Sequence, residues 1–272
     1  MGRFPLNMTK LGAGVATALR HQGYYNLSIG DISDRIAILM TGHKMLWSDP
    51  RYPQVFAGKC PERDKDRRII GYGAFLDPED GCRRFNYSDM GDGLVQDWRG
   101  ACIERELLGF FDACDEFVHV GTAIAKALVG SFDRPQHFTS SEGHMRKAVA
   151  DTYWRTVLRI GQYDPQEGIG LARCERNTAF LKILLYAEPR GLILLGTDER
   201  EIDPFKESDT GIVSLVPGKE LEAASGGLCK ASMQKVRPCG EERSFINLYV
   251  YADVPLPPPI ATLTTAAAML IA

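Results

Sequence analysis

The sequence predicts an α+β fold whose core is a double-sheet barrel such as a jelly roll. Three observations support this prediction. Helical spacing dominates residues 1–150, and short runs of β-branched and aromatic residues dominate residues 151–260. The regular alternation of strands and helices that is typical of a parallel sheet is not seen. We find no internal repeat and no low-complexity linker in the 272 residues, so we expect one domain with a tail at 261–272.

Helices are expected in the first half of the chain. Residues 8–22 repeat Leu11, Val15 and Leu19 at intervals of four, and residues 30–45 predict a second helix. Residues 46–93 contain four prolines and six glycines, which predicts loops with short strands. The strongest helical pattern runs from Trp98 to Val129. Its apolar face consists of Leu107, Phe110, Phe111, Cys114, Phe117 and Val118.

Strands are expected from Tyr153 onward. Short apolar runs rich in β-branched or aromatic residues are separated there by Gly, Pro and Asp, which is the pattern of strands joined by turns. The predicted strands are Val157–Ile160, Phe180–Tyr186, Leu192–Leu195, Ile212–Val216 and Phe245–Tyr251.

Composition excludes several classes of partner. A net charge of −3 argues against a broad nucleic-acid surface, which needs clustered Lys and Arg. Seven cysteines without a Cys-x-x-Cys pair predict reduced thiols, and no secretory leader is seen at the N-terminus, so we expect a cytoplasmic protein. The apolar tail Ile260–Ala272 is shorter than the roughly 20 residues that span a bilayer, so no membrane partner is expected.

Two stretches of the strand-rich half carry a family resemblance. The first is Leu158–Pro165 followed by Gly170–Leu185, and the second is Gly218–Val236. Together they resemble the iron-binding strands of the isopenicillin N synthase-like family of iron and 2-oxoglutarate oxygenases. Ala18–Leu27 resembles the N-terminal helix and following strand of that family, and Arg68–Gly73 resembles its short Gly-Tyr segment. The resemblance implies a double-stranded β-helix.

The residues that hold iron in that family are replaced here. The family carries His-x-Asp in the first stretch and a second His in the other, whereas Glu175, Asn177 and Gln234 occupy these positions. All five histidines lie at or before position 144. Carboxamide oxygens suit calcium or magnesium better than ferrous iron, so we expect no redox metal and no cofactor.

Lys182 interrupts an apolar run at a position where the family usually carries Thr or Ser facing the cavity. We hypothesise that a Glu175–Lys182 contact fills the former metal site, with Asn177 and Gln234 as hydrogen-bonding neighbours. Glu175 and Lys182 are then the candidate catalytic residues, because a lysine and a carboxylate in a partly dry pocket can transfer protons. The alternative is that Lys182 reaches solvent at an exposed strand edge.

The candidates for substrate binding are Asn177, Gln234 and three further residues. Arg243 follows Gln234 by nine residues, where the family carries an arginine that binds a carboxylate. The family then has Ser two residues later, a position that Phe245 occupies here. By the same resemblance Tyr163 lines the pocket, and Arg159 is a second candidate for binding an anion. The alternatives are a core phenol for Tyr163 and a surface guanidinium for Arg159.

Three functions remain open. The first is a metal-free relative of non-haem iron oxygenases that catalyses an isomerisation, cyclisation, elimination or rearrangement in natural-product biosynthesis. Its substrate would be a small molecule that could carry a carboxylate. The second is a non-catalytic ligand-binding or partner subunit, either a homodimer or a heteromer with an active oxygenase. The third is an iron and 2-oxoglutarate oxygenase whose unorthodox metal site recruits His137 or His144.

Overall fold

The computed structural model describes most of the two halves of the chain. The described residues are 11, 13–50, 52, 56, 62–63, 69–70, 73–77, 81–88, 105–132, 154–164, 175–189, 191–205, 211–236 and 240–252. Four helices lie within them. They are α1 (Ala13–His21), α2 (Ser33–Ser48), α3 (Arg105–Phe132) and α4 (Lys219–Ala224).

Thirteen strands lie within the same residues. Five precede α3: β1 (Tyr25–Ser28), β2 (Glu62–Arg63), β3 (Ile69–Ile70), β4 (Gly73–Leu76) and β5 (Arg83–Ser88). Eight follow it: β6 (Trp154–Tyr163), β7 (Glu175–Arg176), β8 (Leu181–Glu188), β9 (Leu192–Leu195), β10 (Glu201–Ile202), β11 (Ile212–Pro217), β12 (Met233–Val236) and β13 (Arg243–Ala252).

The strands form two main sheets. The large sheet has the order β1-β11-β8-β13-β6-β5-β4, and the small sheet has the order β10-β9-β12-β7. Neighbouring strands in both sheets run antiparallel. From β6 onward the chain crosses repeatedly between the sheets. The predicted double-stranded β-helix in an α+β fold is therefore confirmed.

The helices cover one face of the large sheet. Gly121 of α3 lies so close to β6 and β13 that a Cβ atom there would stand 3.0 Å from Thr156 and 3.1 Å from Leu248. The apolar face predicted for the long helix is buried in the main core, together with outward-facing residues of the sheet such as Leu158 and Leu248. The helix layer thereby fixes which side chains of β6 and β13 face away from it, into the barrel.

Element bounds follow the predictions with local differences. The helix expected at 30–45 ends three residues later, at Ser48, and the start expected for the long helix at Trp98 lies outside the described residues. Helix α4 was not predicted, because its six residues are too few to show a periodic pattern. Cys82, Cys114 and Cys229 are buried, reduced cysteines. None of the helices in the described part of the chain is long and apolar enough to cross a membrane.

Candidate functional site

Alternate residues of the large sheet point away from the helices into the space between the sheets. We call this space the barrel interior and define it by Asn86, Arg159, Lys182 and Tyr249. Strand register places them on one face, because Asn86 pairs with Arg159 across β5 and β6, and Lys182 pairs with Tyr249 across β8 and β13. All four are buried. The period of two along each strand therefore collects four polar side chains in one enclosed region.

The small sheet brings together two of the positions that the resemblance assigns to metal ligands. Glu175 and Gln234 are directly paired across β7 and β12, and Asn177 follows β7 by one residue. The side chain of Glu175 lies outside what the structure describes, so the predicted contact between Glu175 and Lys182 stays a prediction.

Lys182 contacts Gln234 across the barrel. Its Nζ atom donates a hydrogen bond to Gln234 Oε1 over 2.6 Å, and its side chain is only 3% exposed. The alternative in which Lys182 reaches solvent is therefore wrong. An ammonium group can only donate, so this contact fixes the orientation of the Gln234 amide and occupies its oxygen.

Asn177 is engaged in the turn that leads into β8. Its Oδ1 atom accepts a hydrogen bond from the backbone N–H of Ala179 over 3.1 Å, and its backbone carbonyl accepts one from Lys219 at the start of α4. The Nδ2 atom is buried without a hydrogen-bond partner. The Asn177 side-chain oxygen thus stabilises the local turn, and the Nδ2 group remains as a hydrogen-bond donor without an acceptor.

These side chains do not fit a ferrous ion. Carboxamide oxygens suit hard cations better than ferrous iron, and those of Gln234 and Asn177 each already accept one hydrogen bond. The Lys182 ammonium beside Gln234 would repel a cation. Among the described residues no group of three His, Cys, Asp or Glu side chains could hold a metal. His137 and His144, on which the unorthodox iron site depends, lie outside the described residues.

Tyr249 belongs to the same cluster. Its ring centroid lies 5.2 Å from Lys182 Nζ and 4.9 Å from Arg159 Cζ. Burial raises the pKa of the phenol, but the positive charges of Lys182 and Arg159 lower it, and the balance is a pKa of about 8 instead of 10.0. Tyr249 is not among the residues that the sequence singles out. The available signal was its position on β13, an even number of residues after Arg243 and therefore on the same face.

Arg159 and Asn86 form a second buried pair in the barrel interior. Arg159 Nε donates a hydrogen bond to Asn86 Oδ1 over 3.0 Å, and the two residues are 4% and 0% exposed. The surface guanidinium considered for Arg159 is therefore wrong. Next to them, Arg84 is neutralised by an ion pair with Asp77. The barrel interior consequently carries more positive than negative charge among the side chains described.

Arg243 and Tyr163 lie at the other end of β13. They are direct partners across β6 and β13, six residues from Tyr249, which corresponds to ~20 Å along a strand. The guanidinium of Arg243 packs on Gly191, where a Cβ would stand 2.4 Å from Nη2. The half-buried Tyr163 ring packs on Phe245, with 5.7 Å between centroids. Arg243 and Tyr163 thus form a group separate from the Lys182–Tyr249 cluster.

A groove lies outside the barrel. It has a volume of about 910 Å³ and runs between α2 and β8, with lining residues that include Ile36, Met40, Tyr186 and Glu188. It contains none of the candidate site residues. We place the candidate site in the barrel interior because the buried charged side chains are there. The volume of the groove does not by itself indicate a catalytic or binding function.

Comparison with known proteins identifies the fold. No protein-family model matches the sequence, and no curated protein is significantly similar to it. Solved structures do match over most of the chain, at sequence identities that show the fold alone.

Two of these structures come from plants and one from a fungus. The dioxygenase for auxin oxidation 1 of Arabidopsis thaliana, in complex with 2-oxoglutarate, is 16% identical with a TM-score of 0.63, and the match covers 93% of each chain. The rice dioxygenase for auxin oxidation is 17% identical with a TM-score of 0.61, covering 87% of this chain and 76% of the other. A full-length Neurospora crassa protein, in complex with α-ketoglutarate and 5-formyluracil, is 14% identical with a TM-score of 0.63, covering 89% and 78%. The chain therefore shares the double-stranded β-helix of 2-oxoglutarate oxygenases.

Proposed function

We propose that this protein is a metal-independent relative of the non-haem iron oxygenases that catalyses a non-oxidative step on a small molecule. The step would be an isomerisation, cyclisation, elimination or rearrangement. One observation carries the proposal: the Lys182 ammonium donates to the amide oxygen of Gln234, one of the positions that the resemblance assigns to a metal ligand. A fixed positive charge there replaces the charge that a metal would supply.

Lys182 and Tyr249 are suited to move a proton. A phenol with a pKa of about 8 exists in both protonation states near neutral pH, so Tyr249 can act as a general acid or a general base. The adjacent Lys182 ammonium stabilises negative charge that develops on the substrate or on the phenolate. Such a pair supports enolisation or elimination without any redox chemistry. Glu175 is kept as the second candidate catalytic group, because its backbone lies opposite Gln234.

The substrate is proposed to be a small organic acid. The described interior has an excess of positive charge from Arg159 and Lys182, which favours an anion. Among proteins of this fold, one is a dioxygenase for auxin oxidation and another is bound to 5-formyluracil, and both of these compounds are small organic molecules. We extend this to the present chain as a role in natural-product biosynthesis.

The test incubates the purified protein with pools of small carboxylic acids, once with a chelator and once with ferrous salt, 2-oxoglutarate and oxygen. We expect the chelated sample to convert one acid into a product of the same mass, or of lower mass after elimination. Lys182→Met should abolish the conversion, and Lys230→Met, at an exposed lysine, should leave it intact.

Other outcomes would favour the other functions. Oxygen consumption that requires both ferrous ion and 2-oxoglutarate would indicate a working oxygenase and overturn the proposal. Ligand binding without conversion, together with co-purification of an active oxygenase, would indicate a partner subunit.

A further inference from the structure

Several buried N–H groups on the β5–β6 wall of the barrel interior lack an acceptor. Arg159 Nη2 and Asn86 Nδ2 are both buried without a hydrogen-bond partner. They lie on directly paired residues of adjacent strands, joined by the bond from Arg159 Nε to Asn86 Oδ1. Because the guanidinium can only donate, this bond fixes the Asn86 amide with its oxygen towards Arg159 and its N–H group unused.

The charge of Arg159 is also not neutralised by the described residues. Its neighbour Arg84 forms an ion pair with Asp77, whereas no described carboxylate lies within ion-pair distance of Arg159. The Arg159 guanidinium instead lies against the Tyr249 ring. Burial of a charge is strongly unfavourable unless a counter-charge accompanies it, and unsatisfied buried donors add to that cost. Among the described residues, Arg159 and Asn86 therefore lack a counter-charge and an acceptor.

We propose that Arg159 Nη2 and Asn86 Nδ2 form a subsite that binds the carboxylate of a small organic molecule. The inference rests on the proposed function, since it names the substrate class of the same interior. Each oxygen of a planar carboxylate accepts one hydrogen bond, one from each residue, and the guanidinium supplies the opposite charge. The adjacent Tyr249 ring provides a flat surface for the organic part of the ligand.

This subsite differs from the one that the family resemblance implies. The resemblance assigns carboxylate binding to Arg243, which lies six residues away from Tyr249 on β13. Arg159 of β6 pairs directly with Asn247 of β13, which lies two residues before Tyr249. Arg159 therefore lies next to the Lys182–Tyr249 cluster. A carboxylate held by Arg159 would therefore bring the adjacent carbon atoms of the ligand towards the groups proposed to transfer the proton.

The test is a calorimetric titration of the full-length protein, in the presence of a chelator, with benzoate as the probe. Benzamide, inorganic phosphate and chloride are the comparison ligands. We expect benzoate to bind and benzamide not to bind. Arg159→Gln should weaken benzoate binding roughly tenfold or more, because it removes the charge. Arg155→Gln is the matched control: Arg155 lies four residues away on β6, against the Tyr251 ring, and its loss should change the affinity by less than about twofold.

A second variant guards against loss of folding. Asn86→Asp would place a carboxylate next to Arg159 and satisfy it internally, so this variant should fold, with an unchanged or higher Tm, and lose benzoate binding. The proposal is overturned if wild-type protein binds no benzoate, if Arg159→Gln binds it unchanged, or if Arg243→Gln alone abolishes binding. Equal binding of chloride would show an unselective anion site and would also overturn it.

The binding result is independent of the proposed catalytic step. Lys182→Met should lose conversion while benzoate still binds, although more weakly, because one of the two cations of the interior is lost. If benzoate binds at Arg159 but no acid is converted, the carboxylate subsite stands and the proposed function fails. If conversion occurs and is insensitive to Arg159→Gln, the proposed function stands and the subsite fails.

Discussion

Lys182 determines the chemistry of the barrel interior because its ammonium group can only donate hydrogen bonds. Its bond to Gln234 fixes the oxygen of that amide towards the ammonium group, in the same way that Arg159 orients Asn86. Asn177 is oriented by the backbone of Ala179. At all three amides the oxygen accepts a hydrogen bond from within the protein, and the N–H groups of Asn86 and Asn177 are buried without an acceptor.

Tyr249 is predicted to titrate about two pH units below an ordinary tyrosine. A titration followed by the ultraviolet absorbance of tyrosinate should show one tyrosine with a pKa of about 8, absent in Tyr249→Phe. In Lys182→Met this pKa should move upward, because a cation that stabilises the phenolate is lost. Lys230→Met should leave it unchanged.

The same shift has a consequence for stability. The folded pKa of about 8 lies below the ordinary value of 10.0, so the folded state releases this proton first as the pH rises. The unfolding free energy of wild type relative to Tyr249→Phe should therefore increase between pH 8 and pH 10, by on the order of 2 kcal/mol, and stay constant below that range. A relative stability that falls over this interval would contradict the assignment.

Lys182 and Gln234 are predicted to be coupled energetically. Gln234→Leu removes the oxygen that accepts from a buried ammonium and should cost about 3 kcal/mol of unfolding free energy. Lys182→Met leaves only a neutral acceptor without its donor and should cost about 1 kcal/mol. The double variant should cost less than the sum, as measured by denaturant unfolding of all four proteins. Strict additivity would mean that the hydrogen bond contributes nothing.

Among the elements, the longer strands could be predicted from sequence and the short ones could not. β8 and β13 contain eight and ten residues, enough for their apolar and aromatic runs to stand out. β7 and β10 have two residues each, too few to show any period. The position of Glu175 beside Gln234 was accessible only through the family resemblance.

The candidate site was only partly predictable for a related reason. Lys182 was noticeable because it interrupts an apolar run, but its neighbour Tyr249 lies on a strand far along the chain. Pairing between β8 and β13 depends on the crossings of the whole barrel, which local patterns do not encode. The hydrogen bond between Lys182 and Gln234 joins the two sheets, so it depends on the same crossings.

Packing between α2 and α3 is predicted to depend on Gly42. A Cβ atom at this position would lie 2.3 Å from the Phe110 ring and 2.6 Å from Phe110 Cβ, so the two helices would have to move apart. Gly42→Ala should therefore cost about 1–3 kcal/mol of unfolding free energy. Gly109→Ala on α3 is the matched control: nothing lies within 4 Å of its Cβ position, so it should stabilise the helix by about 0.5–1 kcal/mol. Equal effects of the two variants would contradict the close packing.

At the scale of the whole molecule, the barrel has the double-stranded β-helix architecture of 2-oxoglutarate oxygenases, and its described interior carries the positive charges of Lys182 and Arg159. The two sheets still place Gln234 beside Glu175 on the small sheet and Lys182 on the large one. We propose that a small number of side chains, above all the Lys182 ammonium group, separate this interior from a metal site. That view can be tested by an attempt to rebuild the metal site.

We predict that restoring the three ligand types is insufficient while Lys182 remains. Glu175→His, Asn177→Asp and Gln234→His together supply the two imidazoles and one carboxylate that ferrous iron prefers. The ammonium would still lie beside them. At ~4 Å and an effective dielectric constant of ~20, the repulsion energy between two unit charges is roughly 4 kcal/mol, and this repulsion energy doubles for a divalent ion. Adding Lys182→Thr should remove this repulsion.

The measurement is the rise in Tm with cobalt(II), an air-stable substitute for ferrous ion. The triple variant should show little rise. The quadruple variant should gain about 3 kcal/mol of unfolding free energy at a metal concentration of ~100 Kd. Lys182→Thr alone is the control and should bind no metal. If the triple variant binds cobalt as tightly as the quadruple one, Lys182 is not what keeps a metal out of this barrel.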